Sequence, residues 1–543
     1  MADKLTDQQR AAVENRGGEL LVSAAAGSGK TKVLVERLLR YVMDPVDPAN
    51  IDDFLIITYT KAAASELRGK IGKALTERIS QDPTNQRLQN QFQRLYLAKI
   101  STVHSFCSDI IREYAYLLDI SADFRMAEES ECDPIRLQIA DKILEESYDL
   151  IGKDEDLQIF VDTQGIGRSD RQVPELILKV YDSARCHKDP DGWLQKCLED
   201  ATVQDLDEPL NTVWGKYLAE ELFRSIDMHC SALEKMAVLC DSGEGLSKMA
   251  EFLRDISFQL NRIRLATTWD EIHRLQEPDY HNLTCLNRVK KDKEIYSMTK
   301  AVREACMNDM EVKLRPFGNN SKQALEDLSQ TLPAVRGLIQ LVLRFSEAYD
   351  RTKKVLHIAD FSDLEHKALD LLLGKSRSGV TVAAREIGSR FREIMVDEYQ
   401  DSNEVQDAIF AALTSERNNL FMVGDVKQSI YQFRMADPGI FLNKYDRYVH
   451  HEEAKIGQGR RVILSNNFRS CESVIDAVNC VFETCMSEKV GGLKYGTDEA
   501  LSPGREYISV PDKEVELHVI STAEDVYAEE RLVRTKLKFC KLI

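Results

Sequence analysis

Apolar residues fall into two kinds of pattern along this chain. Short unbroken apolar runs lie toward the two ends of the sequence: "ELLVS" (19–23), "DFLIITYT" (53–60), "REIMVD" (392–397), "LFMVGD" (420–425) and "RVILS" (461–465). Runs of this length between polar residues read as strands buried on both faces. Helical patterns separate them. "KTKVLVERLLRYVMD" stops ahead of Pro45, and "KAAASELRGKIGKALTERI" is long and free of proline. Strands alternating with helices predict an α/β fold with a parallel sheet covered on both sides.

The period changes between about residues 125 and 355. Ile135, Ile139 and Ile143 recur at i, i+4, and so do Ala140, Leu144 and Tyr148, which makes one apolar helical face. Similar patterns return in "SALEKMAVL" and "LPAVRGLIQLVLRFSEAYDRTKKVL". The predicted organisation is an α/β domain in two parts, 1–122 and 355–450, interrupted by a mostly helical insertion at 123–354. A second domain begins in 451–543. The basic run "NRVKKDKE" (287–294) reads as a solvated face rather than a DNA contact.

Length and composition change this picture little. The 543 residues leave room for several domains at about 150 residues each. Hydrophobic content of 43% and charged content of 30% are those of an ordinary globular protein. A net charge of −18 argues only weakly against nucleic acid, because a basic groove is a local feature. The 12 cysteines include no C-x-x-C pair and read as free thiols. The start lacks an apolar signal core, and no run of about 18 apolar residues occurs, so the expectation is a cytoplasmic protein with no membrane partner.

Candidate chemistry begins at "LLVSAAAGSGKTKVLVERLL", a strand, a loop of small residues and a helix. Backbone N–H groups of such a loop, here Ala24, Ala25, Ala26, Gly27, Ser28 and Gly29, cradle phosphate oxygens. Lys30 is expected to reach the β- and γ-phosphates of ATP, and the Thr31 hydroxyl to ligate Mg²⁺. Ala24 stands where the pattern usually has its first glycine. A cation at this loop accounts for "IMVDEYQDSN" (394–403), where a buried strand ends in two acids. Asp397 is placed to hold Mg²⁺ through water and Glu398 to orient or deprotonate the attacking water. Gln400 and Asp401 are expected to relay the nucleotide state to their neighbours. Helix capping would be the plain structural role for such acids.

The order of these and further stretches resembles the UvrD/Rep/PcrA-like superfamily 1 DNA helicases. "LTDQQRAAV" is similar to the adenine-reading Q motif, with Gln9 as the base-contacting residue. "AAAGSGKT" resembles the Walker A variant of the family, "ITYTKAAASELRGKI" motif Ia, "STVHSFCSDIIR" motif Ib, "VDEYQDSN" motif II, "MVGDVKQSIYQFRMADP" motif III and "LSNNFRS" motif IV. Within that superfamily, "DSARCHKDPDGWL", "IADFSDLEHKALDLL" and "EKVGGLKYGTDEAL" are most similar to the AddA group of bacterial helicase–nuclease proteins.

The resemblance implies P-loop, RecA-like domains and an ATP-dependent 3′→5′ DNA helicase acting in double-strand-break repair with an AddB-type partner. It implies that Gln428 and Arg434 sense the γ-phosphate, that Arg469 acts as an arginine finger, and that Phe468 stacks on adenine. Single-stranded DNA, within a double-stranded substrate, would meet Tyr59, Thr60, Thr102, His104, Tyr431 and Phe433. Aromatic stacking suits a motor that must tolerate any base. Nothing after "LSNNFRS" resembles motif V, motif VI or a nuclease domain, so the expectation is a fragment that binds ATP and hydrolyses it weakly. A stand-alone repair helicase and a non-hydrolysing nucleotide-binding DNA clamp are the alternatives.

Overall fold

Strands form where the apolar runs predict them, and nine segments matter. They are β1 (Leu20–Ala24), β2 (Phe54–Thr58), β3 (Lys99–Thr102), β4 (Arg125–Met126), β5 (Ile358–Ala359), β6 (Glu393–Val396), β7 (Leu420–Gly424), β8 (Val449–His450) and β9 (Arg460–Leu464). In this computed structural model the described residues are 5–505, apart from 119, 150–151, 166–171, 204–205, 244–245, 277–292, 431–434 and 489–490. They divide into two compact units. One takes Met1–Glu129, Arg185–Lys188 and Lys353–Ile543; the other takes Ser130–Ala184 and Asp189–Thr352.

The first unit is built on a seven-stranded sheet in the order β3-β2-β6-β7-β1-β9-β8, with every pairing parallel. Alternate side chains enter different cores. Leu21, Leu55, Ile57, Ile394, Val396, Leu420 and Met422 face one, with helices Val103–Glu113, Phe361–Leu373 and Glu404–Thr414. Leu20, Val22, Phe54, Ile56, Met395, Phe421 and Val423 face the other, with helices Asp7–Glu14, Lys30–Val42 and Lys61–Gln81. Burial on both faces is why these strands carry no polar alternation. The short pair β4–β5 lies outside this sheet. Two strands of the seven-stranded sheet escape the pattern reading: β3, whose "KIST" alternates exposed and buried at the sheet edge, and the two-residue β8.

One expected boundary moves. The sequence pattern starts the second domain at residue 451, yet β9 pairs with β1 from Leu20↔Arg460 to Ala24↔Leu464. The first sheet therefore runs through Leu464. The pairing partner of "RVILS" lies far away in sequence, so local pattern could not assign it. Beyond it, Asn466–Asn467 (β10) pairs with Ser502–Pro503 (β11) in a separate two-stranded sheet.

The second unit contains helices and no strand among its described residues. Two cores hold it. One gathers Leu222, Ile226, Leu253, Trp269 and Phe317. The other gathers Ala140, Ile143 and Leu144, from the apolar face read in the sequence, with Ile177, Phe345 and Tyr349.

Candidate functional site at the carboxyl edge of the sheet

A parallel sheet sends all its strand C-termini to one edge, where α/β proteins bind ligands. The loop after β1 is the small-residue turn. Gly27 and Gly29 have φ of +72° and +87°, a region that disfavours side chains. A Cβ on Gly27 would meet Asn467 Oδ1 and Arg469 Cβ at 2.9 Å. The loop carbonyls are held from outside: Gln9 Nε2 donates to Ser28 O (2.9 Å), Asn467 Nδ2 to Ala26 O (2.9 Å) and Phe468 N to Gly27 O (2.9 Å). Gln9 is itself fixed in a capping box with Thr6. Ala24 ends β1 and is buried with Ala25, while Thr31 sits in the first turn of helix Lys30–Val42.

Lys30 Nζ lies 2.7 Å from Glu398 Oε2, across 368 residues of sequence. Glu398 Oε2 also accepts Gln400 Nε2 at 3.0 Å. Glu398 has φ of +54°, a strained value for a side-chain-bearing residue and one that clusters at functional sites. Asp397, at the end of β6, has its carboxyl pushed up to about 6 by desolvation and by Glu398, with Lys30 pulling the other way. Asp401 is pushed up to about 6 for the same reasons. Asp401 Oδ1 and Ser28 Oγ are buried without a hydrogen-bond partner.

This donor set fits a hard divalent cation held in part by phosphate. It offers one desolvated carboxyl at Asp397 and a hydroxyl at Thr31. Among the described residues no group of three or more His, Cys, Asp and Glu could hold a metal unaided. Mg²⁺ is commonly bound through one or two carboxylates, phosphate oxygens and water.

The end of the neighbouring strand β7 supports the acids. Asp425 N donates to Gln400 Oε1 at 3.0 Å, and Gln428 Nε2 donates to Asp425 Oδ2 at 2.7 Å. Lys427 Nζ is 3.1 Å from Asp425. Arg469, after β9, is exposed beside Gly27. The half-buried Phe468 ring lies against Gly504, where a Cβ would come within 2.7 Å of it. Arg434, Tyr431 and Phe433 lie outside the described residues, as does most of the basic run at 287–294.

The remaining predicted residues follow β2 and β3. Thr60 caps helix Lys61–Gln81 through Ala63 N (3.0 Å), and Thr102 caps helix Val103–Glu113 through Ser105 N (3.2 Å). Tyr59 Oη lies 2.5 Å from Ser402 Oγ and donates to Gln406 Oε1 at 3.3 Å. Burial raises the Tyr59 phenol. His104 Nε2 is 3.1 Å from Glu365 Oε1, and its ring sits 4.8 Å from that of Phe361. Desolvation opposes charge on Glu365, but the bonds from His104, Gln406 and Asn403 outweigh it and lower its pKa. Sequence reasoning misses Phe361 and Glu365. The one signal is an acid amid the apolar face of "IADFSDLEHKALDLL", which composition alone does not distinguish from a surface acid.

No described helix is long and apolar enough to cross a membrane. A family model described as the UvrD/REP helicase N-terminal domain matches residues 5–449. The chain is 35% identical to the AddA subunit of an ATP-dependent helicase/nuclease from Clostridium novyi (strain NT), over 97% of this chain and 43% of that protein. It is 34% identical to proteins of the same name from Clostridium perfringens (strain 13 / Type A) and Bacillus cereus (strain ATCC 10987 / NRS 248). Those alignments cover 97% and 96% of this chain and 42% of each relative, so the chain spans less than half the length of the relatives it matches.

Proposed function

The chain belongs to the UvrD/REP helicase family, and from that premise we propose that it is the ATP-binding motor portion of a 3′→5′ DNA helicase. In this reading it is the AddA component of an AddAB-type helicase–nuclease that works in the cytoplasm on broken double-stranded DNA, paired with an AddB-type protein. The relatives' shared name supports this assignment and the pairing with a nuclease. The motif set of this chain supports the motor.

The observation that carries the reading is the 2.7 Å ion pair between Lys30 and Glu398 at the carboxyl edge of a parallel sheet. Lys30 supplies positive charge where the β- and γ-phosphates of ATP would lie. A γ-phosphate that takes over Lys30 leaves Glu398 held by Gln400, free to accept a proton from the attacking water. Thr31 and Asp397 are the residues that would hold Mg²⁺, which neutralises phosphate charge when bound. The bond from Gln428 to Asp425 and the position of Arg469 next to Gly27 support their roles at the γ-phosphate, and Gln9 positions the loop. Single-stranded DNA lies over the ends of β2 and β3, against Tyr59, Thr60, Thr102 and His104. Phosphoryl transfer of this kind depends on positioning and charge.

The test is ATP binding and ATP turnover by the purified chain, with and without oligo-dT. Nucleotide binding that Lys30→Ala abolishes is the expected result. A chain that binds neither nucleotide nor single-stranded DNA would refute the reading.

A further inference from the structure

Glu365 is 5% exposed, yet it carries a carboxylate in a helix whose neighbours Leu364, Ala368, Leu369 and Leu372 are core residues. An apolar side chain would pack there without a desolvation cost, so the acid needs a reason. Its partners come from two other segments. Oε1 meets His104 Nε2 at 3.1 Å and accepts Gln406 Nε2 at 2.7 Å, and Oε2 accepts Asn403 Nδ2 at 3.3 Å. Gln406 Oε1 in turn accepts from Tyr59 Oη, which also lies against Ser402 Oγ. Ser402 is fully buried, and its N–H donates to Tyr399 O at 3.1 Å. Between Tyr399 and Ser402 sits Gln400, which grips Glu398 and the N–H of Asp425. Hydrogen bonds thus run from the ends of β2 and β3 to Ser402 and the Tyr399–Asp401 turn, whose backbone carries Gln400 and its bond to Glu398.

We propose that Glu365 is the positioning residue through which nucleic acid lying against His104 and Tyr59 is sensed at Glu398. The inference rests on the function proposed above. Glu365 touches neither nucleotide nor DNA. It fixes His104 and Gln406 to the same carboxylate. A base that presses on His104 or displaces the Tyr59 hydroxyl must therefore move Gln406 and Ser402, and with them the Tyr399–Asp401 turn. Coupling of this kind is reciprocal: DNA changes nucleotide affinity by the factor by which nucleotide changes DNA affinity.

The experiment measures that factor on the whole chain, titrating a fluorescent non-hydrolysable ATP analogue with and without saturating oligo-dT. In the wild type, DNA should change nucleotide affinity by about fivefold or more. In Glu365→Gln, nucleotide affinity without DNA and DNA affinity without nucleotide should stay within about twofold of wild type, while the coupling factor falls toward one. Gln406→Met, which leaves the Glu365–His104 contact in place, should do the same and decides the matter if Glu365→Gln does not fold. Wild-type coupling in a folded Glu365→Gln and in Gln406→Met overturns the inference. So does a parallel loss of both separate affinities, which would mark a purely structural role. A wild-type chain that binds both ligands without coupling overturns the inference and leaves the function standing. A wild-type chain that binds neither overturns both.

Discussion

Replacing Arg37 with alanine should loosen the whole first unit. Arg37 is 1% exposed and joins three elements. Its guanidinium donates to both carboxylate oxygens of Glu393, at 2.8 and 2.6 Å. It donates to Ala12 O at 2.9 Å and to Asn15 O at 2.7 Å, tying down the end of the helix that carries Gln9. Tyr41 Oη donates to the same carboxylate at 3.0 Å, and burial beside Glu393 pushes its phenol up to about 12. Removing one partner of a buried pair costs about 3–5 kcal/mol. Each carbonyl stripped of its donor adds about 1 kcal/mol. The sum is about 5–7 kcal/mol, or roughly 10⁴- to 10⁵-fold in an opening equilibrium. Tryptophan fluorescence is the wrong probe, because Trp193, Trp214 and Trp269 all lie in the other unit. Native-state hydrogen exchange of peptides spanning 20–24 and 393–396 reads the right one. The double variant Arg37→Met, Glu393→Leu removes both charges of the pair and should lose only about 3 kcal/mol, from the two orphaned carbonyls and the Tyr41 hydroxyl. Exchange in Arg37→Ala within about tenfold of wild type, or a double variant as loose as the single, would refute the reasoning.

Four further expectations can be checked directly. Glu398→Gln should keep nucleotide affinity while turnover falls by about 10²-fold or more, as for loss of a general base; unchanged turnover would remove Glu398 from that role. Gly424→Ala should place a Cβ 2.4 Å from Gln400 Oε1 and 2.9 Å from the Phe441 ring, costing about 1–3 kcal/mol by denaturant titration and displacing the amide that holds Glu398. His366 is buried with its pKa lowered to about 3, chiefly by desolvation and then by Arg185. Its unfolded value is about 6.5, so its contribution to stability is complete above that pH and lost as pH falls toward 3. Between pH 7 and 5 the wild type should lose about 2 kcal/mol more than His366→Gln, and parallel pH curves by calorimetry would contradict the assignment. Chelating divalent cations should weaken nucleotide binding by about tenfold or more, measured by the same fluorescent titration; undiminished affinity in EDTA would count against the Asp397 site.

The sheet was legible because its central strands are buried on both faces and read as unbroken apolar runs. The family was legible because "AAAGSGKT", "VDEYQDSN" and the flanking motifs keep their order. What the sequence concealed is non-local. "RVILS" looks the same whether it opens a new sheet or closes the first, and only its pairing with Leu20–Ala24 decides. β3 was hidden because an edge strand needs one apolar face only. Glu365 was hidden because a carboxylate in a helix is ordinarily a surface residue, and its buried status depends on His104 and Gln406, which lie 261 and 41 residues away by number. Thr60 and Thr102 read as strand contacts, and both also cap helices. Their placement beside the site and their local role therefore follow from the same geometry, since a helix that begins at the carboxyl edge needs a cap there.

The electrostatics of that edge also constrain what it can bind. Asp397, Glu398 and Asp401 converge on Lys30, yet desolvation and the Glu398 charge push both aspartates up to about 6. Burial contributes most to both shifts, and the Glu398 charge adds to it against the pull of Lys30. In the proposed function a bare polyphosphate would add negative charge beside these acids even as it drew Lys30 away from Glu398. A phosphate arriving with a divalent cation would offset that charge: Asp397 and Thr31 would hold the cation, and the loop after β1 the anion. On the function proposed above, nucleotide and metal are expected to bind this pocket together. Among the described residues these three acids form a single ion pair, between Glu398 and Lys30. Three acids against one paired cation are the reason the proposed function expects nucleotide binding to depend on a divalent cation.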